Sequence, residues 1–142
     1  MLNKFLFIGL LLLNIFFSSV SHAEELSAYF IRPADAMTVG QGVQLHFDGK
    51  YIGKIWHDKY AIVKTKAGNH SLMTKVGLSI SVPVTGFGGA KKFKSKFNLE
   101  KGDYYFKIEF KPGLLAGEHR IIKISKDEYF LLSDGASEIE YK

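Results

Sequence analysis

Residues 92–110, KFKSKFNLEKGDYYFKIEF, alternate between apolar and polar side chains on both sides of a short polar segment. Alternation with a period of two is typical of strands that bury one face and expose the other. The segment 100–103 contains Gly102 and is short enough to join two such strands. The stretch therefore predicts strands at 92–98 and 104–110, paired as a hairpin. The positions expected to face the core are Phe93, Phe97, Leu99, Tyr104, Phe106, Ile108 and Phe110.

The same reasoning predicts a series of short strands along the rest of the chain. They are 27–32, 43–47, 52–56, 60–65, 70–76, 78–84 and 119–124. Glycine-rich and polar clusters separate them, and no long amphipathic helix pattern occurs. The tail after Asp127 has no clear period and is compatible with a strand or a short helix. The sequence predicts an all-β fold, a small antiparallel β-sandwich built of hairpins.

The segment 45–55, LHFDGKYIGKI, contains the strongest turn signal in the chain. Asp48-Gly49 is a dipeptide that favours a two-residue type I′ hairpin turn, because both central positions need a positive φ. A calcium loop would need several oxygen ligands at alternating positions and a closing glutamate, which are missing here. The segment is predicted to be a structural turn.

The first 23 residues have the features of a secretory signal peptide. Lys4 precedes an apolar run, and the segment ends in a small-x-small pattern at Ala23. We expect cleavage between Ala23 and Glu24, leaving residues 24–142 as a single domain without a membrane anchor. An uncleaved anchor is the alternative, but the apolar run is shorter than the roughly 20 residues that span a bilayer. The expected location is the bacterial periplasm or the exterior.

Composition excludes several kinds of chemistry. The chain has no cysteine, which rules out thiol catalysis, Cys-zinc sites and c-type haem attachment. The formal net charge is +5, of which Lys4 contributes one unit. Such a mild excess does not require nucleic acid as a partner, and it is compatible with attraction to anionic polymers.

Four short elements, in order along the chain, carry a resemblance to a known family. They are Tyr29-Phe30-Ile31-Arg32-Pro33, the hairpin segment 43–53, Ala67-Gly68-Asn69-His70 and residues 99–105. The hairpin resembles that of PEGA-like domains, and the set resembles the exported bacterial domain-of-unknown-function family 2846. Ala67 stands where that family's pattern has proline. The resemblance implies an exported β-sandwich with no established activity, and it transfers no catalytic residue.

Candidate catalytic and metal-binding residues are few. His46, His57, His70 and His119 have none of the close spacings typical of zinc ligands, and His70 is expected to form structural hydrogen bonds. No Gly-x-Ser-x-Gly segment or pair of apolar-flanked carboxylates points to hydrolysis. We therefore expect no cofactor, no metal and no enzymatic activity, and a hydrolase is the least favoured function.

Two features suggest a binding surface. The glycine- and lysine-rich segment 84–92 contains Phe87, Lys91 and Lys92, and the next strand carries Lys94 and Lys96. The segment is either a simple connector or a partner-binding loop. The lysines are either a solvated edge that prevents aggregation or, together with Lys107, a basic binding patch.

The sequence thus favours a non-catalytic binding or interaction module of the bacterial envelope. Its partner would be an envelope protein or an anionic surface polymer. The alternative is a carrier of a small hydrophobic ligand or lipid, held between the sheets by Phe93, Phe97, Phe106 and Phe110.

Overall fold

The computed structural model describes residues 25–38, 40–76, 92–112 and 117–140. The predicted leader 1–23 with its cleavage site, the predicted strand 78–84, and Phe87 and Lys91 lie outside the described residues. Within the described ranges the chain forms nine strands and one helix. The all-β class is confirmed.

The strands follow the predicted apolar segments closely, with most of the differences at their ends. They are β1 Glu25–Arg32, β2 Val43–Phe47, β3 Lys50–Ile55, β4 Lys59–Lys66, β5 Gly68–Val76, β6 Lys92–Leu99, β7 Tyr104–Lys111, β8 Glu118–Ile124 and β9 Ser137–Glu138. The sequence of the tail was compatible with either a strand or a short helix. In the structure it forms a helix, α1, Lys126–Ser133.

Two sheets make up the sandwich. A five-stranded sheet has the order β8-β7-β1-β4-β9, and a four-stranded sheet has the order β3-β2-β5-β6. The four-stranded sheet is antiparallel throughout, but β1 pairs in parallel with β7, and β4 with β9. The sandwich is therefore not built only of antiparallel hairpins.

The predicted hairpin between residues 92–98 and 104–110 is wrong, although both strands exist. β6 pairs with β5 in the four-stranded sheet, and β7 pairs with β1 and β8 in the other. The connecting segment crosses from one sheet to the other, with Gly102 at φ 81°. The alternation of residues fixes which side chains face the core, and both strands do face the same core. It does not determine which strand lies alongside which.

The main core fills the space between the two sheets. Phe30 and Phe106 are fully buried and stacked, with ring centroids 5.1 Å apart. Phe97 meets Phe106 edge-on at 5.0 Å, and Phe47 meets Phe30 in the same way at 6.4 Å. Such pairs each stabilise the fold by about 0.5–1.5 kcal/mol beyond their area of burial.

A second, smaller core lies on the outer face of the five-stranded sheet, beneath α1. Ser125 caps the helix, and its hydroxyl accepts a hydrogen bond from the backbone N–H of Glu128 at 3.1 Å. The helix places Tyr129 against Tyr29 and Tyr105, which are stacked 5.0 Å apart. Tyr105, which alternation assigns to the outer face, is therefore buried.

In the part of the chain that the structure describes, no helix has the length and hydropathy needed to cross a membrane.

Candidate functional site

The β2–β3 turn is a structural element, as the sequence predicts. Asp48 and Gly49 have φ angles of 49° and 77°, which are the positive values of a type I′ turn. Asp48 also anchors β5, because its carboxylate accepts hydrogen bonds from the Ser71 backbone N–H at 2.7 Å and from His70 Nδ1 at 2.6 Å. Burial alone would raise the pKa of Asp48, but these hydrogen bonds outweigh it and hold the pKa below its ordinary value.

His70 has the structural role expected of it. Its Nε2 lies 2.8 Å from the Lys66 carbonyl oxygen, and its Nδ1 contacts Asp48. Both neighbours are acceptors, so a ring nitrogen that carries a hydrogen has a partner on either side. His70 thus ties the β4–β5 connection to the β2–β3 turn.

The four candidate histidines, His46, His57, His70 and His119, lie in different surroundings. Within the described residues, no group of three or more histidine, aspartate or glutamate side chains is placed to hold a metal ion. His46 is half-buried on the outer face of its sheet, with its ring 5.4 Å from that of Tyr51. His57 and His119, far apart in sequence, come together in one polar network.

That network is centred on Arg32, whose side chain is only 1% exposed. Its guanidinium donates to the backbone oxygens of Gln41 at 2.5 Å and Ile55 at 3.0 Å, and to the Thr38 hydroxyl at 3.0 Å. Since Arg32 belongs to one sheet and Ile55 to the other, these bonds join the two sheets at one end of the sandwich. The bonds to Gln41 and Thr38 also attach the loop after β1.

The Thr38 hydroxyl connects Arg32 to a second group of charges. The hydroxyl has one hydrogen, which it donates to the Asp35 carboxylate. Its oxygen therefore accepts hydrogen bonds from Arg32 and from His57 Nε2, the latter at 3.2 Å. His57 Nε2 is also 3.6 Å from Asp35 Oδ2. Burial tends to raise the pKa of Asp35, but hydrogen bonds from Thr38 and Met37 and the nearby His57 hold it below the ordinary value.

His119 completes the network and is 2% exposed. Its Nε2 lies 3.4 Å from a terminal nitrogen of Arg32. The guanidinium can only donate, so Nε2 accepts and the hydrogen of the neutral ring lies on Nδ1. Burial and the adjacent Arg32 charge lower the pKa of His119 to about 4. Among the described residues, His119 Nδ1 and Arg32 Nε have no hydrogen-bond partner.

Sequence reasoning missed Arg32, although one signal for it was present. An arginine follows the apolar residues Tyr29-Phe30-Ile31, directly before Pro33, where simple alternation gives no reason for a charge. The network is a buried polar connection between strands.

The lysines of β6 belong to a larger basic surface, which we call the lysine face. It is the outer face of the four-stranded sheet. Cross-strand neighbours place Lys54, Gln44, Lys75 and Lys92 in one row. A second row contains Tyr51, His46, Met73 and Lys94, and Lys96 lies opposite Ser71. None of the four described strands of this sheet contains an aspartate or a glutamate.

Lys107 does not belong to this surface. It lies on β7 in the other sheet, where its ammonium group is 3.2 Å from Glu128 and 3.5 Å from Glu109. Although burial alone would lower it, these carboxylates raise the pKa of Lys107 above its ordinary value. The prediction that Lys107 extends the patch is wrong, because it assumed the β6–β7 hairpin.

The lysine face is not flat. A depression of about 520 Å³ lies beside the β2–β3 turn, between Gly49 and the strands β5 and β6. Met73, Lys94 and Lys96 contribute to its lining. β6 is at the edge of its sheet, so its lysines also occupy a position where charge opposes edge-to-edge pairing.

Three of the four phenylalanines assigned to a ligand cavity, Phe97, Phe106 and Phe110, contact other aromatic rings. Phe106 is packed between Phe30 and Phe97, and the Phe110 ring lies 5.2 Å from that of His119. Phe93 and Phe97 are partly buried against the main core. Phe93, Phe97 and Phe106 thus make the contacts of packed core residues.

Compared with known proteins, the chain matches no family, no curated protein and no solved structure.

Proposed function

We propose that this protein is a non-catalytic binding module of the bacterial envelope, and that its lysine face holds an anionic surface polymer. The observation that carries the proposal is the distribution of charge on the four-stranded sheet. Lys54, Lys75, Lys92, Lys94 and Lys96 share one surface, in strands without a carboxylate. Charges of one sign on one surface attract a polyanion more strongly than the same charges spread around the molecule.

The strand geometry favours an extended partner. Adjacent strands lie about 4.8 Å apart, and alternate residues of one strand about 7 Å apart. Lysines at these spacings present ammonium groups both along a strand and across neighbouring strands. This arrangement suits the regularly repeated negative charges of a polymer. Lys91, which directly precedes Lys92, and Phe87, five residues before Lys92, are also part of the proposed contact on the basis of the sequence.

The experiment is binding to immobilised polyphosphate over a series of salt concentrations. The variant Lys92→Glu/Lys94→Glu/Lys96→Glu reverses three exposed charges of the lysine face. Each lysine near an anionic surface contributes roughly 1 kcal/mol, so the affinity should fall on the order of a hundredfold. Binding of the unaltered protein should weaken with added salt, because screening reduces attraction between exposed charges.

The matched control is Lys64→Glu/Lys66→Glu/Lys111→Glu. It changes the net charge by the same amount, at exposed positions of the other sheet. It should retain most of the affinity. Equal losses in both variants would mean that only the net charge matters, and the proposal would fail.

The second candidate function is the transport of a small hydrophobic ligand held between the two sheets. The apolar character of the space between the sheets favours it, whereas the aromatic contacts of Phe97 and Phe106 speak against an open cavity there. Native mass determination of protein purified from a bacterial host separates the two, since a carrier should retain a ligand of reproducible mass.

A further inference from the structure

A cleft of about 400 Å³ opens at the side of the sandwich where both sheets end. Its walls come from the edge strand β3, with Tyr51 and Lys54, and from the segment that contains β9, with Glu138 and Glu140. Gly53, Trp56, Lys59 and Ile139 complete the lining. The cleft is distinct from the depression beside the β2–β3 turn.

The β9 wall is held in place by backbone hydrogen bonds. The N–H of Ser137 donates to the Asp58 oxygen at 3.1 Å, and the N–H of Ile139 donates to the Tyr60 oxygen at 2.9 Å. Ile139 is buried against Gly53, where a Cβ atom would lie 2.6 Å from its Cδ1. The cleft therefore has a preformed backbone on both sides, as small-ligand sites usually have.

Two aromatic rings line this cleft and remain accessible. Trp56 is 42% exposed and Tyr51 is 43% exposed. Lys54 lies over the Trp56 ring, with its ammonium nitrogen 4.6 Å from the centroid. Exposed aromatic faces next to carboxylates and ammonium groups suit a sugar ring. The C–H faces of a pyranose stack on the rings, while its hydroxyls donate to carboxylates and accept from lysine.

The cleft is continuous with the lysine face, because Tyr51 and Lys54 belong to both. A polymer that lies on the lysine face can thus reach the cleft along the same rows. In the cleft the carboxylates of Glu138 and Glu140 balance the ammonium groups of Lys54 and Lys59, so the cleft has no excess positive charge to attract an anionic ring, unlike the lysine face. The ring held there should be uncharged, and the charged groups of the polymer should lie farther along, on the lysines.

We propose that the protein binds an acidic glycan in which neutral and charged sugars alternate, with one neutral ring in the cleft between Tyr51 and Trp56. This inference rests on the proposed function, because it names the class of polymer that the lysine face holds. An anionic peptide has the charge to satisfy the lysines, but it gives no particular use to two exposed aromatic rings beside carboxylates.

Trp56 provides a direct assay, since it is the only tryptophan in the chain. Short hyaluronan oligosaccharides, which alternate a neutral and an acidic sugar, are titrated into the protein while tryptophan fluorescence is recorded. We expect a saturable change with hyaluronan and none with polyglutamate of equal charge. No saturable change with hyaluronan would overturn the proposal, and an equal change with polyglutamate would indicate a peptide partner instead.

The variant Tyr51→Ala keeps the fluorescent residue and removes one wall of the cleft. It should weaken hyaluronan binding about tenfold, which is the effect of losing one aromatic stacking contact. Phe130→Ala is the matched control, because Phe130 is another exposed aromatic residue on α1, away from the cleft. It should bind hyaluronan as the unaltered protein does, and equal losses in both variants would overturn the proposal.

The two proposals fail in different ways. If Tyr51→Ala binds hyaluronan normally, the assignment of the cleft is wrong, even where the lysine variant loses polyphosphate. If Lys92→Glu/Lys94→Glu/Lys96→Glu keeps its affinity for polyphosphate, the lysine face is not the polymer site. A fluorescence change with hyaluronan in that variant would then support the cleft alone.

Discussion

Acidification should destabilise the protein through His119, and the size of the effect can be worked out from its surroundings. In the folded state the pKa of His119 is about 4, because the ring is buried beside Arg32, whereas the ordinary value is 6.5. Well above pH 6.5 the ring is neutral in both the folded and the unfolded state. Between these two values the unfolded chain binds a proton that the folded protein excludes, so the free energy of unfolding falls as the pH falls.

The difference between the two pKa values corresponds to about 3 kcal/mol over the whole window, at about 1.4 kcal/mol per pH unit. About 2 kcal/mol of this should be lost between pH 7 and pH 5. The carboxylates of Asp35 and Asp48 have pKa values below 3.8, so most of their effect comes at lower pH. The groups facing His119 include Arg32, Asp35 and His57, of which only Asp35 favours its protonation.

The assay is urea unfolding at pH 7, 6 and 5, followed by the fluorescence of Trp56. His119→Gln is the test variant, because its amide oxygen can still accept a hydrogen bond from Arg32 but it cannot take up a proton. The variant should lose about 2 kcal/mol less than the unaltered protein between pH 7 and pH 5. The comparison uses the slope with pH, so a constant loss of stability in the variant does not affect it.

Two results would refute this reasoning. One is the same pH dependence in His119→Gln and in the unaltered protein. The other is an NMR titration of the His119 ring with a midpoint near 6.5, which would mean that neither burial nor Arg32 influences it.

Three further predictions concern stability. Arg32→Met should lower the free energy of unfolding by about 3–5 kcal/mol, because buried hydrogen-bond partners are left unpaired; a loss under about 1 kcal/mol in urea unfolding would contradict the network. His70→Ala should cost about 1–2 kcal/mol by releasing the contact with Asp48, measured at pH 7. Gly53→Ala should cost about 1–3 kcal/mol through its clash with Ile139. The additional change Ile139→Val removes the Cδ1 atom and should restore part of that stability, whereas strictly additive losses would show that the two sites do not touch.

Several strands could be predicted from the sequence because their side chains alternate in burial, whereas the central strand β1 is a nearly continuous buried run. β2 matches the predicted segment, and β6 shows half-buried odd positions and exposed lysines, as expected. The arrangement of the strands was not predictable in the same way. The segment after Leu99 is short enough for a hairpin, but equally for a crossing between sheets. The parallel pairing of Ala28 with Tyr104 joins distant parts of the chain and leaves no local signal.

For the candidate sites, too, residues on one strand could be grouped from the sequence, whereas residues brought together by strand pairing could not. Lys92, Lys94 and Lys96 occupy alternate positions of one strand, so their common face could be predicted from the sequence. Lys75 joins them only through the register with β5, and Lys54 through β3. The contact between Arg32 and His119 depends on how β1 and β8 lie at one end of the sandwich, which no local pattern records.

The position of β1 has a consequence for the order in which the molecule folds. It is a central strand, yet its neighbours β4 and β7 both follow it in the chain, and β7 follows at a great distance. During synthesis β1 therefore has no pairing partner until β4 has been made. It gains its second partner only when β7 has been made. Folds dominated by such long-range pairings form slowly, within milliseconds to seconds. Mutations in β1 should therefore slow folding more than they speed unfolding if its pairing with β7 closes the rate-limiting loop.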